Sequence, residues 1–223
     1  MVDDGVTHAV ATPHLFGPYA EPGRVDRIRE VATDLAERLV RSEIPLTMYL
    51  GADTRIDTSL ADELTRGGVI TLADAGSYLL VEPPHDVWIE AGGVAATLKA
   101  ADVVGVLTHP ERHGHVQRHG IRVLQDWVDG GAVMQITAGS LLGDFGPQAH
   151  DLGWEVLASG VPAIVASDAH GVRRRPPRLG EAARIIASRL SPEASDRLCR
   201  VGPWRMIAGA IPLTLRAPSK EAP

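Results

Sequence analysis

Side chains that can bind metal ions stand at the ends of short apolar segments in this sequence. They are His14, Asp53, Glu82, His109, Asp168 and His170. Imidazole and carboxylate groups without thiolates suit Mn²⁺, Fe²⁺ or Zn²⁺. Two such ions held about 3.5–4 Å apart can stabilise both the attacking and the leaving oxygen during phosphate hydrolysis. The sequence therefore predicts a metal centre that hydrolyses phosphate esters.

Arginines follow two of these candidate ligands. Arg112 lies three residues beyond His109, and a run of three arginines at 173–175 follows His170. Guanidinium groups match phosphate oxygens in a bidentate way, so these arginines are candidates for binding the phosphate group. Metal ligands and arginines together favour a phosphate substrate.

The hydrophobic pattern shows which elements must position these side chains. Six short apolar segments predict strands at 6–12, 46–51, 78–81, 103–108, 132–137 and 162–166. Amphipathic segments after them predict helices at 22–41, 60–64, 87–100, 120–129, 148–159 and 179–190, with a helical tail at 192–200 and 203–208. Strand–helix units repeated in this way indicate a parallel α/β sheet, and in β/α barrels the carboxyl ends of the strands share one face. We expect one domain over 1–210 and a frayed tail over 211–223.

Composition narrows the class of protein. The chain has 223 residues, a formal net charge of -6 and 44% hydrophobic residues. The acidic balance (pI about 5.8) disfavours a broad nucleic-acid interface. No apolar run is long enough to span a membrane, so we expect no membrane insertion. The single cysteine, Cys199, predicts a cytoplasmic protein without an internal disulfide and disfavours a cysteine-dependent phosphatase.

Four motifs carry a family resemblance. They are ATPH at 11–14, THPER at 108–112, QITAGSLLG at 135–143, and ASDAH at 166–170 followed by Arg175-Pro176. Together they resemble the bacterial tyrosine-protein phosphatases of the polymerase and histidinol phosphatase (PHP) superfamily, which are typically encoded beside capsule and exopolysaccharide genes. The similarity runs from about Gly5 to Leu190 and continues weakly to Gly209.

The resemblance implies a distorted, TIM-like, seven-stranded (β/α) PHP barrel with two or three divalent ions, usually Mn²⁺. The residues that match metal ligands by position are His14, Asp53, Glu82, His109, Asp168 and His170. Arg112 and Arg175 match the arginines that hold the phosphate. Arg112, Arg175 and Asp168 are the predicted catalytic residues. The implied reaction is attack of a metal-held hydroxide on the phosphorus of phosphotyrosine, in a protein substrate such as a polysaccharide-export tyrosine kinase.

The sequence departs from the family pattern at two places. The family begins with a strand carrying Asp-x-His-x-His, and no such segment occurs here; the early histidine, His8, lies inside the strand that leads to ATPH. We therefore expect the first strand and helix to be missing and the chain as written to be poorly active. Asp53 also stands where the family has a bridging glutamate, one methylene longer.

Other interpretations stay open. Asp53 could cap a helix, and His14 could be a surface loop residue. His113, His115 and His119 resemble a metal cluster by spacing, but we expect them to be exposed. Two whole-protein alternatives are a histidinol-phosphate-like small-molecule phosphatase and a truncated, non-catalytic PHP protein.

Overall fold

A computed structural model describes residues 1–208, 210 and 213 of the chain. The tail predicted at 211–223 lies outside the described residues, apart from Leu213, which is buried. None of the helices over the described part of the chain is long and apolar enough to cross a membrane.

Over the described residues, eight strands form two parallel sheets. The strands are β1 (His8–Ala11), β2 (His14–Leu15), β3 (Thr47–Leu50), β4 (Asp53–Arg55), β5 (Tyr78–Glu82), β6 (Val104–Thr108), β7 (Val133–Thr137) and β8 (Ala163–Ala166). All six predicted strands are confirmed. The structure adds β2 and β4, which continue β1 and β3 after two-residue interruptions at 12–13 and 51–52.

The strand order follows the chain. One sheet pairs β1 with β3, and the other has the order β2-β4-β5-β6-β7-β8, with parallel pairing throughout. Consecutive parallel strands need crossover connections, and helices supply most of them here. Among the described residues, the recorded pairings do not join β8 back to the first strands. The fold is therefore an α/β fold with parallel sheets.

In the part of the chain that the structure describes, ten α-helices accompany the strands. They are α1 (Arg24–Arg41), α2 (Leu60–Arg66), α3 (Ala91–Ala100), α4 (Gly114–His119), α5 (Gln125–Asp129), α6 (Ala138–Leu141), α7 (Gly146–Ser159), α8 (Leu179–Arg189), α9 (Pro192–Asp196) and α10 (Gly202–Ile207). In α1, the four-residue spacing of Ile28, Ala32 and Ala36 places all three on one buried face. The sequence analysis did not predict the short helices α4 and α6.

Both faces of the larger sheet are buried, as is typical of parallel strands. On one face, Leu79 and Val81 of β5 belong to a core that includes Trp127 of α5. On the opposite face, Leu80 of β5 packs in a cluster with Ile207 of α10. Because both faces are covered, the charged side chains of the larger sheet, Asp53, Arg55 and Glu82, stand at strand ends.

Candidate metal centre

Three predicted ligands meet where β2, β4 and β5 run side by side. His14 in β2 is paired in register with Asp53 in β4, and Glu82 is the last residue of β5. Nδ1 of His14 lies 3.6 Å from Oδ2 of Asp53 and 3.6 Å from Oε2 of Glu82. One donor atom from each residue lies within 4.8 Å of the other two. This spacing suits a shared cation.

His109 adds a fourth donor from the end of β6. Its Nε2 lies 3.5 Å from Oε1 of Glu82 and 4.0 Å from Oδ2 of Asp53. His109 has a left-handed backbone (φ 35°), and so does Asp168 (φ 47°) after β8. Such conformations are costly for residues other than glycine and cluster at functional sites. Both turn the chain sharply directly after a strand, at the edge where the other donors lie.

Burial and charge at this site favour a cation. Desolvation raises the pKa of Asp53 well above its usual range, and the neighbouring carboxylates of Glu82 and Asp168 raise that pKa further. Desolvation also lowers the pKa of His14 and of His109, which keeps both imidazoles neutral and able to ligate.

Two buried atoms of the centre, Nδ1 of His14 and Oδ1 of Asp53, have no hydrogen-bond partner among the described residues. Buried polar atoms are normally paired. The unpaired atoms, the neutral imidazoles and the crowded carboxylates all fit a divalent ion.

Asp168 joins the two predicted phosphate-binding arginines. Nη1 of Arg112 donates to Oδ2 of Asp168 at 2.5 Å, and Nη2 of Arg175 donates to the same oxygen. Both guanidinium groups also lie against the ring of Phe145, with Cζ of Arg112 4.2 Å and Cζ of Arg175 5.4 Å from its centroid. The carboxylate and the ring hold the two cations together.

His170 stands at the edge of the group. Its side chain is 44% exposed, and its Nδ1 lies 3.5 Å from Oδ1 of Asp168. Its ring centroid is 5.9 Å from that of His14. The structure thus brings His14, Asp53, Glu82 and His109 together and places Asp168 and His170 beside them. Metal ligation by all six residues stays a prediction.

Two further residues at this edge, Arg55 and Tyr19, were not predicted from the sequence. Arg55 ends β4, and its Nη1 donates to Oε2 of Glu82 at 3.1 Å. The guanidinium group therefore offsets part of the charge of the Glu82 carboxylate. Tyr19 stacks on His14 with a centroid distance of 4.8 Å and an interplanar angle of 13°. The position of Arg55 two residues after Asp53 in the same strand was a usable signal, whereas nothing in the sequence pointed to Tyr19.

A third missed residue, Glu111, anchors the turn between His109 and Arg112. Its side chain is fully buried. Oε1 accepts from the backbone N–H of Thr137 at 3.0 Å and from Oγ of Ser140 at 2.7 Å. Desolvation raises the pKa of Glu111 to about 7. This carboxyl group ties the THPER and TAGS motifs together.

The prediction for the histidines after THPER was wrong in part. His113 is buried, and its Nε2 lies 2.8 Å from the carbonyl oxygen of Pro84. His115 is half-buried, and only His119 of the three is exposed. The indole of Trp88 lies beside both His113 and His115, and this tertiary contact covers side chains that spacing alone placed in solvent.

Comparison with known families decides the relationship. The model of the family described as "Capsular polysaccharide synthesis, CpsB/CapC" matches residues 1–208. The chain belongs to the CpsB/CapC family. This result confirms the resemblance drawn from the four motifs.

Individual relatives agree with the CpsB/CapC assignment. The chain is 33% identical over 195 residues to the tyrosine-protein phosphatase YwqE of Bacillus subtilis (strain 168), covering 86% of this chain and 75% of YwqE. It is 28% identical over 175 residues to CapC of Staphylococcus aureus, covering 78% of this chain and 67% of CapC.

A crystal structure from work on YwqE and on CpsB from Streptococcus pneumoniae, described as unique metal-dependent tyrosine phosphatases, also matches this CpsB/CapC chain. It superposes with a TM-score of 0.80 at 30% identity, covering 88% of this chain and 79% of the matched one. The sequence relationship therefore extends to the arrangement of the α/β fold.

Proposed function

We propose that this CpsB/CapC protein is a metal-dependent phosphomonoesterase that hydrolyses phosphotyrosine in proteins. One observation carries the proposal. Four side chains of the types that bind metal ions converge at one edge of the sheet, beside two arginines that share the carboxylate of Asp168. The tyrosine-phosphatase names of the relatives support the choice of substrate.

His14, Asp53, Glu82 and His109 would hold the metal, with Asp168 and His170 completing its ligands. Bound divalent ions would supply an acidified water molecule and offset the negative charge of the phosphoryl oxygens. The protein's part is to keep the two imidazoles neutral and the carboxylate of Asp53 desolvated, as the directions of the pKa shifts of His14, His109 and Asp53 indicate.

Arg112 and Arg175 would bind the equatorial oxygens of the phosphoryl group. Both now donate to one oxygen of Asp168, and a phosphate dianion offers them several acceptors of the same kind. Their charge would stabilise the transition state, in which negative charge spreads over those oxygens. Phenol has a pKa of about 10, so a tyrosine phenolate leaves readily without a dedicated acid.

The finer features of the proposal follow the resemblance. They are Mn²⁺ as the metal, two or three ions in the complete centre, and a polysaccharide-export tyrosine kinase as the substrate. They also include a cytoplasmic location and a strand arrangement that is part of a distorted seven-stranded barrel. The strand order from β2 to β8, which follows the chain, supports a barrel of this kind.

Metal reloading tests the proposed function. Protein stripped with a chelator is reloaded separately with Mn²⁺, Fe²⁺ and Zn²⁺ and assayed on a phosphotyrosine peptide. We expect metal-dependent release of phosphate that is abolished in His109→Ala and in Asp168→Ala. Unchanged turnover in either variant would contradict the assignment of the site.

Two further measurements separate the alternatives. A histidinol-phosphate-like enzyme would turn over histidinol phosphate with a higher kcat/KM than the phosphotyrosine peptide. A non-catalytic protein would bind the metal without hydrolysing either substrate. We expect the peptide to be preferred.

A further inference from the structure

A cleft opens directly beside the candidate metal centre. Its empty volume, including the open solvent at its mouth, is about 400 Å³. Glu82, His109 and Arg112 line the end that belongs to the centre, and Pro83, Trp88 and His113 line the rest together with the mostly exposed His85. The cleft thus has a charged end and a wall of rings, and the function proposed above uses only the charged end.

The wall is held rigidly by its neighbours. The indole of Trp88 meets His113 edge-on, with 5.1 Å between centroids and a 62° angle, and stacks on His115 at 5.2 Å and 8°. Trp127 of the buried core contacts Trp88 from another side, with centroids 6.5 Å apart. Little conformational entropy of these side chains would therefore be lost when a ring enters the cleft.

We propose that this cleft seats the phenyl ring of the substrate, and that Trp88 determines the preference for aryl over alkyl phosphates. This inference rests on the proposed phosphatase function. In an aryl phosphate a single oxygen separates the phosphorus from the ring, so the ring must lie next to the arginines that hold the phosphate. Arg112 belongs to both the predicted phosphate site and the cleft.

The chemistry of the wall matches an aromatic guest. Aromatic pairs gain from edge-to-face or offset contacts in addition to the area they bury. The side chain of phosphoserine carries no ring, so it would leave the indole of Trp88 without an aromatic partner. The cleft therefore distinguishes substrates by the group that carries the phosphate and not by the phosphate itself.

The test compares how tightly two non-hydrolysable probes, phenylphosphonate and methylphosphonate, bind to the metal-loaded protein. Calorimetry measures the Kd of each probe for the wild type, Trp88→Ala, Trp88→Phe and the control Trp204→Ala. Trp204 is 47% exposed and packs on His8, away from the cleft. We expect the wild type to bind phenylphosphonate about tenfold more tightly than methylphosphonate.

The variants are expected to distinguish the contribution of the ring to probe binding from that of the phosphonate group. Trp88→Ala should lose most of the preference for phenylphosphonate while its Kd for methylphosphonate changes less than about twofold, and Trp88→Phe and Trp204→Ala should keep the preference. Trp88→Leu, which keeps apolar packing against Trp127, covers the case in which Trp88→Ala does not fold.

Two results would overturn the inference. They are a wild type without preference for the phenyl probe, and a preference that survives in Trp88→Ala or Trp88→Leu. Neither result touches the proposed function, which is tested separately by metal-dependent hydrolysis of phosphotyrosine. If hydrolysis fails while the phenyl preference depends on Trp88, the proposed reaction is wrong and the cleft remains an aryl-binding site.

Discussion

His14 and Asp53 stand directly opposite each other in the parallel pair β2–β4, and Nδ1 of His14 lies 3.6 Å from Oδ2 of Asp53. The two residues are brought together by strand pairing, so their spacing depends on the sheet and not on a flexible loop. Glu82 ends the next strand, β5, and completes the group. The sheet itself therefore preorganises the donors, which is what a metal site needs.

Removing the charge of Asp53 should stabilise the metal-free protein and weaken metal binding. The pKa of Asp53 is raised in the folded protein, so folding disfavours its ionised form. The free energy of unfolding therefore falls as the pH rises above the pKa that Asp53 has in the unfolded chain. In chelator at neutral pH, we expect Asp53→Asn to be more stable than the wild type by about 1–3 kcal/mol. Urea unfolding measures this difference.

Metal should reverse the order of stability. An ion at about 100 times its Kd stabilises the wild type by about 2.7 kcal/mol, and Asp53→Asn should gain much less. Asp57→Asn, at an exposed carboxylate near the same strand, is the matched control and should respond to metal like the wild type. Equal stabilisation of Asp53→Asn and the wild type by Mn²⁺ would remove Asp53 from the ligand set.

Replacing either phosphate-binding arginine should impair catalysis more than folding. We expect Arg112→Ala and Arg175→Ala each to lower kcat/KM for a phosphotyrosine peptide by roughly 10²–10³-fold, because each loses a charged donor to the phosphoryl oxygens. Lysine should restore only part of the activity, since it lacks the planar fork. Arg174→Ala, next to Arg175 and exposed, should stay near wild type. A loss of equal size in Arg174→Ala would point to the whole loop instead of one side chain.

Phe145 should act as a positioning residue for both arginines. Its ring lies 4.2 Å from Cζ of Arg112 and 5.4 Å from Cζ of Arg175. A cation–π contact contributes about 0.5–1 kcal/mol at exposed sites and about 2 kcal/mol when desolvated, and both arginines here are partly buried. Phe145→Leu should therefore weaken inorganic phosphate as a competitive inhibitor roughly 2- to 10-fold. Phe145→Tyr, which keeps an aromatic face, should rescue the inhibition constant. Failure of the tyrosine variant to rescue would indicate that shape, and not the ring's charge distribution, matters.

Glu111 should make the stability of the protein depend on pH. Its folded pKa is about 7, above the usual 4.5, so between these values the folded state holds a proton that the unfolded state has released. Stability contributed by this group is therefore present below about pH 4.5 and is lost as the pH rises to about 7. The loss is on the order of 3 kcal/mol.

The variant Glu111→Gln isolates this effect. Its amide oxygen can still accept from Thr137 N–H and from Ser140 Oγ, and it does not titrate. We expect the variant to match the wild type near pH 5 and to exceed it in stability near pH 8, measured by urea unfolding in chelator. A stability difference that does not change between these two pH values would mean that Glu111 does not titrate in this range.

The sequence by itself determined the six strands, their parallel arrangement and four donors that converge. This was possible because hydrophobic periodicity is a local property, and because each donor follows a predicted strand closely. Glu82 ends β5 and His109 directly follows β6, while His14 and Asp53 begin β2 and β4, the continuations of β1 and β3. Parallel strands in consecutive order bring such ends to one edge whatever the details of packing.

Only the tertiary structure decided which side chains pair across that edge. Arg112 meets Asp168 from 56 residues away, and Ser140 meets Glu111 from 29 residues away. The packing of Trp88 on His113 depends on the relative placement of separate segments in the same way. Side-chain contacts of this kind follow from rotamers and from the distance between elements, and no local pattern encodes either.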